Sequence, residues 1–159
     1  MLSLGEEIKQ TKFKSEHQKA MLNIMLTANT LYASNSRFFK KFDLSPEQYN
    51  VLRILRGNHP KSCSVLNIQE RMLDKMSNAS RLVDKLETKG LLTRIQCKED
   101  RRQVDINITK AGLEILNQID VPFESMESVL ECVSDNELVR FNEILDTIRN
   151  MYRSAAESA

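Results

Sequence analysis

Residues 77–112 read SNASRLVDKLETKGLLTRIQCKEDRRQVDINITKAG. Ala79, Leu82, Val83, Leu86 and Leu91 recur at three- and four-residue steps, which lays one apolar stripe along a helix. Ser77 is placed to cap the first turn, and Gly90 suits the position after the last. Asn78, Ser80, Arg81, Asp84 and Lys85 fall mostly off the stripe. Past Gly90 the period changes to two. Val104, Ile106 and Ile108 alternate with Asp105 and Asn107, the pattern of a half-buried strand. Leu91, Thr93, Ile95 and Cys97 make the matching strand, with Cys97 on its buried side. Between the strands stands Lys98-Glu99-Asp100-Arg101-Arg102, a charged tip with two adjacent arginines.

A helix with a polar, basic start followed by a small hairpin with a basic tip is the layout of a winged helix-turn-helix. Asn, Ser, Arg and Lys are the residue types that reach base edges and phosphates. The stretch therefore predicts a reading helix for the major groove of double-stranded DNA, carrying Ser77, Asn78, Ser80, Arg81 and Lys85. Arg101 and Arg102 are assigned to a wing that reaches a narrow minor groove. Asp100 beside them would repel phosphate, so its assignment is to orient an arginine or tighten the turn. The alternative is a charged turn that is merely solvated. The capped helix ahead of it favours DNA.

Upstream, residues 16–42 predict a long helix with Met21, Ile24, Met25, Ala28, Leu31, Tyr32, Phe38 and Phe39 on one stripe, read as ordinary core. Ser45-Pro46-Glu47-Gln48 is a capping box with proline at the first helical position. The helix it opens buries Tyr49, Val51, Leu52, Ile54 and Leu55 and stops near Gly57. A loop follows, and Ser64 caps a helix from Val65 to Leu73. Asp74-Lys75-Met76 is the turn into the reading helix. Downstream, Thr109 caps a helix that Pro122 should kink or interrupt. Ser134-Asp135-Asn136-Glu137 is a second capping box. It opens a last helix with Leu138, Phe141, Ile144, Leu145, Ile148, Met151 and Tyr152, and Ser154 to Ala159 should fray.

Three motifs in this order and spacing resemble the MarR family of bacterial winged-helix transcription regulators. They are Leu86-Glu87-Thr88-Lys89-Gly90-Leu91, Asp100-Arg101-Arg102 and Ile108-Thr109-Lys110-Ala111-Gly112. The resemblance extends upstream through Leu44-Ser45-Pro46-Glu47-Gln48-Tyr49-Asn50-Val51-Leu52 and covers most of the chain, more loosely at its ends. It implies that Arg101 enters the groove while Arg102 supports the wing or touches phosphate. Gln69 departs from the family pattern, where a small alanine is usual, and Leu73 stands where a turn residue is common. Both departures bear on the angle between the two helices. The resemblance also implies a homodimer, interlocked by helices from both ends of the chain. The last helix, apolar beyond what one winged domain needs, agrees with that. Two heads one helical turn apart would read a pseudopalindromic operator. Finally, the resemblance implies a cleft for a small aromatic or anionic effector. Tyr32, Arg37, Phe38, Tyr49 and Arg53 are the candidate aromatic walls and cationic anchor, the alternative being core and surface.

Net charge is +1, but the charge is segregated. Residues 1–70 hold 10 Lys and Arg against 6 Asp and Glu, residues 71–110 again 10 against 6, and residues 111–159 only 3 against 10. The local excess lies around the reading head, where phosphate contacts supply most non-specific affinity. The acidic last third should face away from DNA. No apolar run is long enough to span a bilayer, and MLSLGEEIKQTKFK lacks the core of a secretion signal, so the expected location is cytoplasmic.

Catalysis has little support. Cys63, Cys97 and Cys132 are far apart, His17 and His59 stand alone, and neither a Gly-rich phosphate loop nor a nucleophile elbow is present. No metal or cofactor is implied. Cys63, in a loop, would be reactive if exposed, which keeps a thiol-based redox sensor among the alternatives. A winged-helix module that binds protein is the other, although Arg81, Lys85, Arg101 and Arg102 count against it. The fold expected is mainly α with a small β-hairpin wing, a single 1–159 domain. Within it a winged helix-turn-helix spans about 45–110, and N- and C-terminal dimerisation helices span about 6–42 and 110–155. The function expected is a dimeric DNA-binding repressor modulated by a small ligand.

Overall fold

Ser45 sets where the central helix starts. Its hydroxyl accepts the Gln48 amide at 3.2 Å while the Gln48 side chain accepts the Ser45 amide at 3.0 Å, and Pro46 occupies the first helical position. The resulting helix, Pro46–Asn58, is α3 in a computed structural model that describes residues 2–96 and 104–157. These form two compact units, Met1–Gln118 and Ile119–Ala159.

In the first unit a short α1 (Leu4–Glu7) is closed by a capping box between Ser3 and Glu6 that the apolar periodicity did not announce. The long α2 (Glu16–Lys40) follows, then α3, α4 (Val65–Arg71) and α5 (Ala79–Thr88). Helix α3 is the hub and packs against α2, α4, α5 and the hairpin. It buries Tyr49, Val51, Leu52, Ile54 and Leu55, as its spacing predicts. Phe39 of α2 stacks on Tyr49 with ring centroids 4.2 Å apart. The rest of the α2 stripe corrects its reading as core. Met21, Met25, Leu31 and Tyr32 are exposed in the single chain, and on α2 only Phe38 and Phe39 are buried. Helix α4 ends two residues earlier than expected, because Met72 turns to extended backbone and drops its side chain into the core.

The hairpin pairs β1 (Leu92–Gln96) with β2 (Val104–Ile108), antiparallel, with Leu92 opposite Ile108 and Arg94 opposite Ile106. Cys63 adds a bridge on the other side of β2, exchanging both backbone hydrogen bonds with Ile106 at 2.9 Å. The face expected of β1 is reversed. Leu92 is buried, Ile95 is 56% exposed, and Thr93 faces solvent. Leu91 is buried too, but ahead of the strand. Its amide reaches back to the Leu86 carbonyl and the Gly90 amide to Glu87, a Schellman turn with Gly90 at φ +71°. Strand alternation therefore starts at Leu92.

Thr109 opens α6 (Lys110–Glu127) as expected, accepting the Gly112 amide at 3.1 Å. A Cβ on Gly112 would sit 2.2 Å from the Leu91 carbonyl oxygen, so glycine lets α6 start against the turn that joins α5 to β1. Pro122 lies within α6 without interrupting it, although it has no N–H to give to the Gln118 carbonyl.

In the second unit the end of α6 leads to a 3-10 turn, Ser128–Cys132, and then to α7 (Asp135–Glu157). The Ser134 hydroxyl donates to Glu137, and that bond, with the Ser134 amide second at 3.1 Å, draws the carboxyl below the usual range. Helix α7 continues to Glu157, past the expected fraying point at Ser154. Val139, Phe141, Ile144, Met151 and Tyr152 are all exposed in the single chain.

Candidate nucleic-acid interface

Helix α5 has one wet face and one dry face. Ala79, Val83 and Leu86 are buried, against α3, α4 and β1. Ser80, Arg81, Asp84 and Lys85 are exposed. The cap differs from expectation. Asn78, not Ser77, is the N-cap, accepting the Arg81 amide at 3.0 Å. Ser77 serves the turn instead, donating to Asp74 at 2.6 Å. That bond, with the Met76 amide second, holds the Asp74 carboxyl below the usual carboxylate range. Both residues remain beside the reading face, but their side chains already have structural work. Of the opening amides, Ala79 donates to Gln69, Arg81 to Asn78 and Leu82 to the Asn78 carbonyl. The Ser80 amide has no protein acceptor among the described residues, so a helix start with a free N–H lies beside an exposed hydroxyl and Arg81.

Two ties that the sequence did not single out hold this helix. Arg94 of β1 pairs with Asp84, donates to the Ser80 carbonyl at 3.2 Å, and lies 3.5 Å from the Glu87 carboxylate. The Nε atom makes an ion-pair approach to Glu87 without hydrogen-bond geometry. At the other end, Lys89 forms an ion pair with Asp43 in the α2–α3 turn at 2.9 Å. Asp84, read from the sequence as merely off the stripe, is thus the point where the wing strand grips the reading helix. Lys98, Glu99, Asp100, Arg101, Arg102 and Cys97 lie outside the described residues.

The candidate effector residues divide. Phe38 and Tyr49 are core, flanking Phe39 from either side. Arg53 is exposed and donates to the Tyr49 hydroxyl at 2.9 Å. Tyr32 donates to Glu47 at 2.8 Å, and that carboxylate holds the phenol above its usual range. Arg37 is exposed. Phe38 is therefore a packing residue, and the polar positions Tyr32, Arg37 and Arg53 are what solvent meets.

Cys63 is buried at 3% exposure, and burial pushes its thiol up, away from the thiolate that oxidant sensing needs. The exposure on which reactivity at Cys63 is conditional is therefore absent. Cys132 is exposed at the end of the 3-10 turn. Among the described residues no cluster of His, Cys, Asp or Glu could hold a metal, and no helix is long and apolar enough to cross a membrane.

A model of the MarR family matches residues 44–104, from the start of the α3 cap to the first residue of β2. The HTH-type transcriptional regulator YpoP of Bacillus subtilis (strain 168), itself uncharacterised, is 31% identical over 107 residues, covering 67% of this chain and 74% of that protein. The chain belongs to the MarR family. A MarR transcription factor from Planctomyces limnophilus superposes with a TM-score of 0.65 at 31% identity, over 89% of this chain and 98% of that one. The MarR fold is shared as well with MepR of S. aureus, solved in complex with DNA, at a TM-score of 0.73 and 19% identity, over 88% and 99% of the two chains.

Proposed function

We infer that this protein is a homodimeric transcription repressor that reads a pseudopalindromic operator, with α5 in the major groove and the wing in the neighbouring minor groove. The observation that carries the reading is α5 itself. It is anchored on one side by buried Ala79, Val83 and Leu86, braced by Arg94 and Lys89, and open on the other at Ser80, Arg81 and Lys85. A rigid helix with an exposed polar and basic start is what base reading requires. Arg81 and Lys85 supply phosphate or base contacts, and Ser77 and Asn78 border them. Arg101 is assigned to the minor groove, Arg102 to wing support or phosphate, and Asp100 to orienting the tip.

Dimerisation is supported by the apolar faces that one chain leaves in water, on α2 and on α7. An aromatic or anionic effector would meet Tyr32, Arg37 and Arg53 first. Retained Arg81 and Lys85 argue against a module that binds only protein. A cytoplasmic location follows from access to DNA.

The test is a salt titration of binding to a duplex selected from a random pool and to mixed genomic fragments. Affinity should fall steeply with salt on both, with the selected duplex tighter throughout. A flat salt response, or no selected duplex, overturns the reading.

A further inference from the structure

We propose that Gln69 is a positioning residue for base reading: its carboxamide clamps the helix-turn-helix turn to the first amide of α5 and so sets how the reading helix is presented. The inference rests on the DNA-reading function proposed above and adds a determinant of its specificity. Gln69 stands on α4, half-buried. Its Oε1 accepts the Ala79 N–H at 3.1 Å and its Nε2 donates to the Lys75 carbonyl at 3.0 Å. The opposite orientation of the amide would face donor to donor and acceptor to acceptor, so the two bonds assign it.

The turn needs such a clamp. It runs from Met72 to Asn78, longer than the three or four residues of a simple helix-turn-helix. Its apolar side chains do little to hold it. Met72 is buried, but Leu73 is 89% and Met76 92% exposed. Polar ties do the holding. The Asn50 side chain accepts the Leu73 amide at 2.9 Å, and Asp74 accepts from Met76 and Ser77. Among these, Gln69 alone bonds both the turn and the start of α5 among the described residues. A shorter side chain at this position could reach neither partner. Base discrimination tolerates displacements of only about half an ångström, so a loosened helix start should blur specificity before it abolishes binding.

The experiment uses the full chain and the duplex selected by the wild type. Gln69→Met keeps the length and apolar stem but offers neither donor nor acceptor. The expected result is a roughly tenfold fall in the ratio of selected to mixed-sequence affinity, with base preferences blurred in a repeated selection. The Ala79 amide should exchange faster with solvent while α3 amides keep their wild-type rates. Unchanged ratio and preferences, with Ala79 exchanging faster, overturn the positioning role and leave DNA reading intact. If the wild type selects no duplex, DNA reading itself has failed, and this inference with it. If Gln69→Met does not fold, Gln69→Glu decides. It keeps the acceptor for Ala79 but sets a carboxylate against the Lys75 carbonyl, so the clamp is broken at the turn: base preferences should blur while the Ala79 amide stays protected, and unchanged preferences overturn the proposal.

Discussion

Arg94 and Asp84 join the two parts of the reading head, the guanidinium of a wing strand pairing with a carboxylate on the exposed face of α5. The same guanidinium donates to the Ser80 carbonyl and approaches Glu87, so one side chain holds three points along the helix. Its side chain is 28% exposed and that of Asp84 58%, which discounts the ion pair to the strength of a surface pair, about 1 kcal/mol or less. The bond to Ser80 adds about 1 kcal/mol. Arg94→Ala should therefore lower unfolding free energy by about 1–2 kcal/mol in urea. Arg94→Lys should recover less than half, because a point charge cannot span the three acceptors. Full recovery by lysine would mean that charge alone matters here.

Ser80 and Asn78 separate reading from capping. Asn78 accepts the Arg81 amide, so Asn78→Ala should cost about 1 kcal/mol of stability in addition to any effect on DNA. The Ser80 side chain is exposed and caps nothing. Ser80→Ala should leave unfolding unchanged within about 0.5 kcal/mol and shift the preferred bases by about 1–3 kcal/mol at the position it faces. A selected site identical in sequence and strength would remove Ser80 from the reading surface.

Much of this was legible in the sequence because local chemistry decides it. The caps at Ser45, Ser64 and Thr109, the glycine stop at Gly90 and the buried face of α3 all follow from residue types at short range. The hairpin face was misread for an equally local reason. Leu91 belongs to the Schellman turn, and counting alternation from it slips the strand by one residue, which turns every side chain over. The pairings of Arg94 with Asp84 and of Gln69 with Ala79 were not legible because the partners are close in space but ten residues away along the chain, at no periodic spacing. A lone arginine in a strand carries no periodic signal, and Gln69 was visible only as a departure from a small residue. The α2 stripe shows a different limit. Periodicity announces a face that wants burial but does not say whether its own chain or another buries it.

Cys63 provides a test of thiol chemistry with a definite sign. Its thiol pKa is raised chiefly by burial, with Arg71 opposing. Less thiolate at neutral pH and a closed backbone bridge to Ile106 should make alkylation slow. Labelling followed by peptide mass spectrometry should find Cys63 reacting at no more than about a hundredth of its rate in urea. Because the folded pKa is the higher one, this cysteine's contribution to stability is complete below the unfolded thiol pKa. It is lost as pH rises from there through the folded value. Rapid native labelling of Cys63 would reopen redox sensing.

Helix α7 carries the clearest test of assembly. Phe141, Ile144 and Met151 recur at steps of three and seven, Tyr152 lies eight residues after Ile144 on the same face, and the four are 50%, 43%, 67% and 59% exposed in the single chain. Burial of such a face is worth about 25 cal/mol per Å² of apolar area, a strong drive toward a second copy. The acidic balance of this last third, 3 Lys and Arg against 10 Asp and Glu, suits a surface turned away from DNA. Removing residues 134–159 should therefore give monomers or aggregates in sedimentation velocity, where the full chain should give dimers. Phe141→Asp with Ile144→Asp makes the finer version, since it keeps the helix and its cap at Ser134 while placing charge in the face. That double variant should remain helical, lose dimerisation, and bind the selected duplex at least tenfold more weakly, because two linked heads become independent ones. A folded dimer from either variant would move the interface to α2, where Met21, Met25 and Leu31 form the other exposed apolar row.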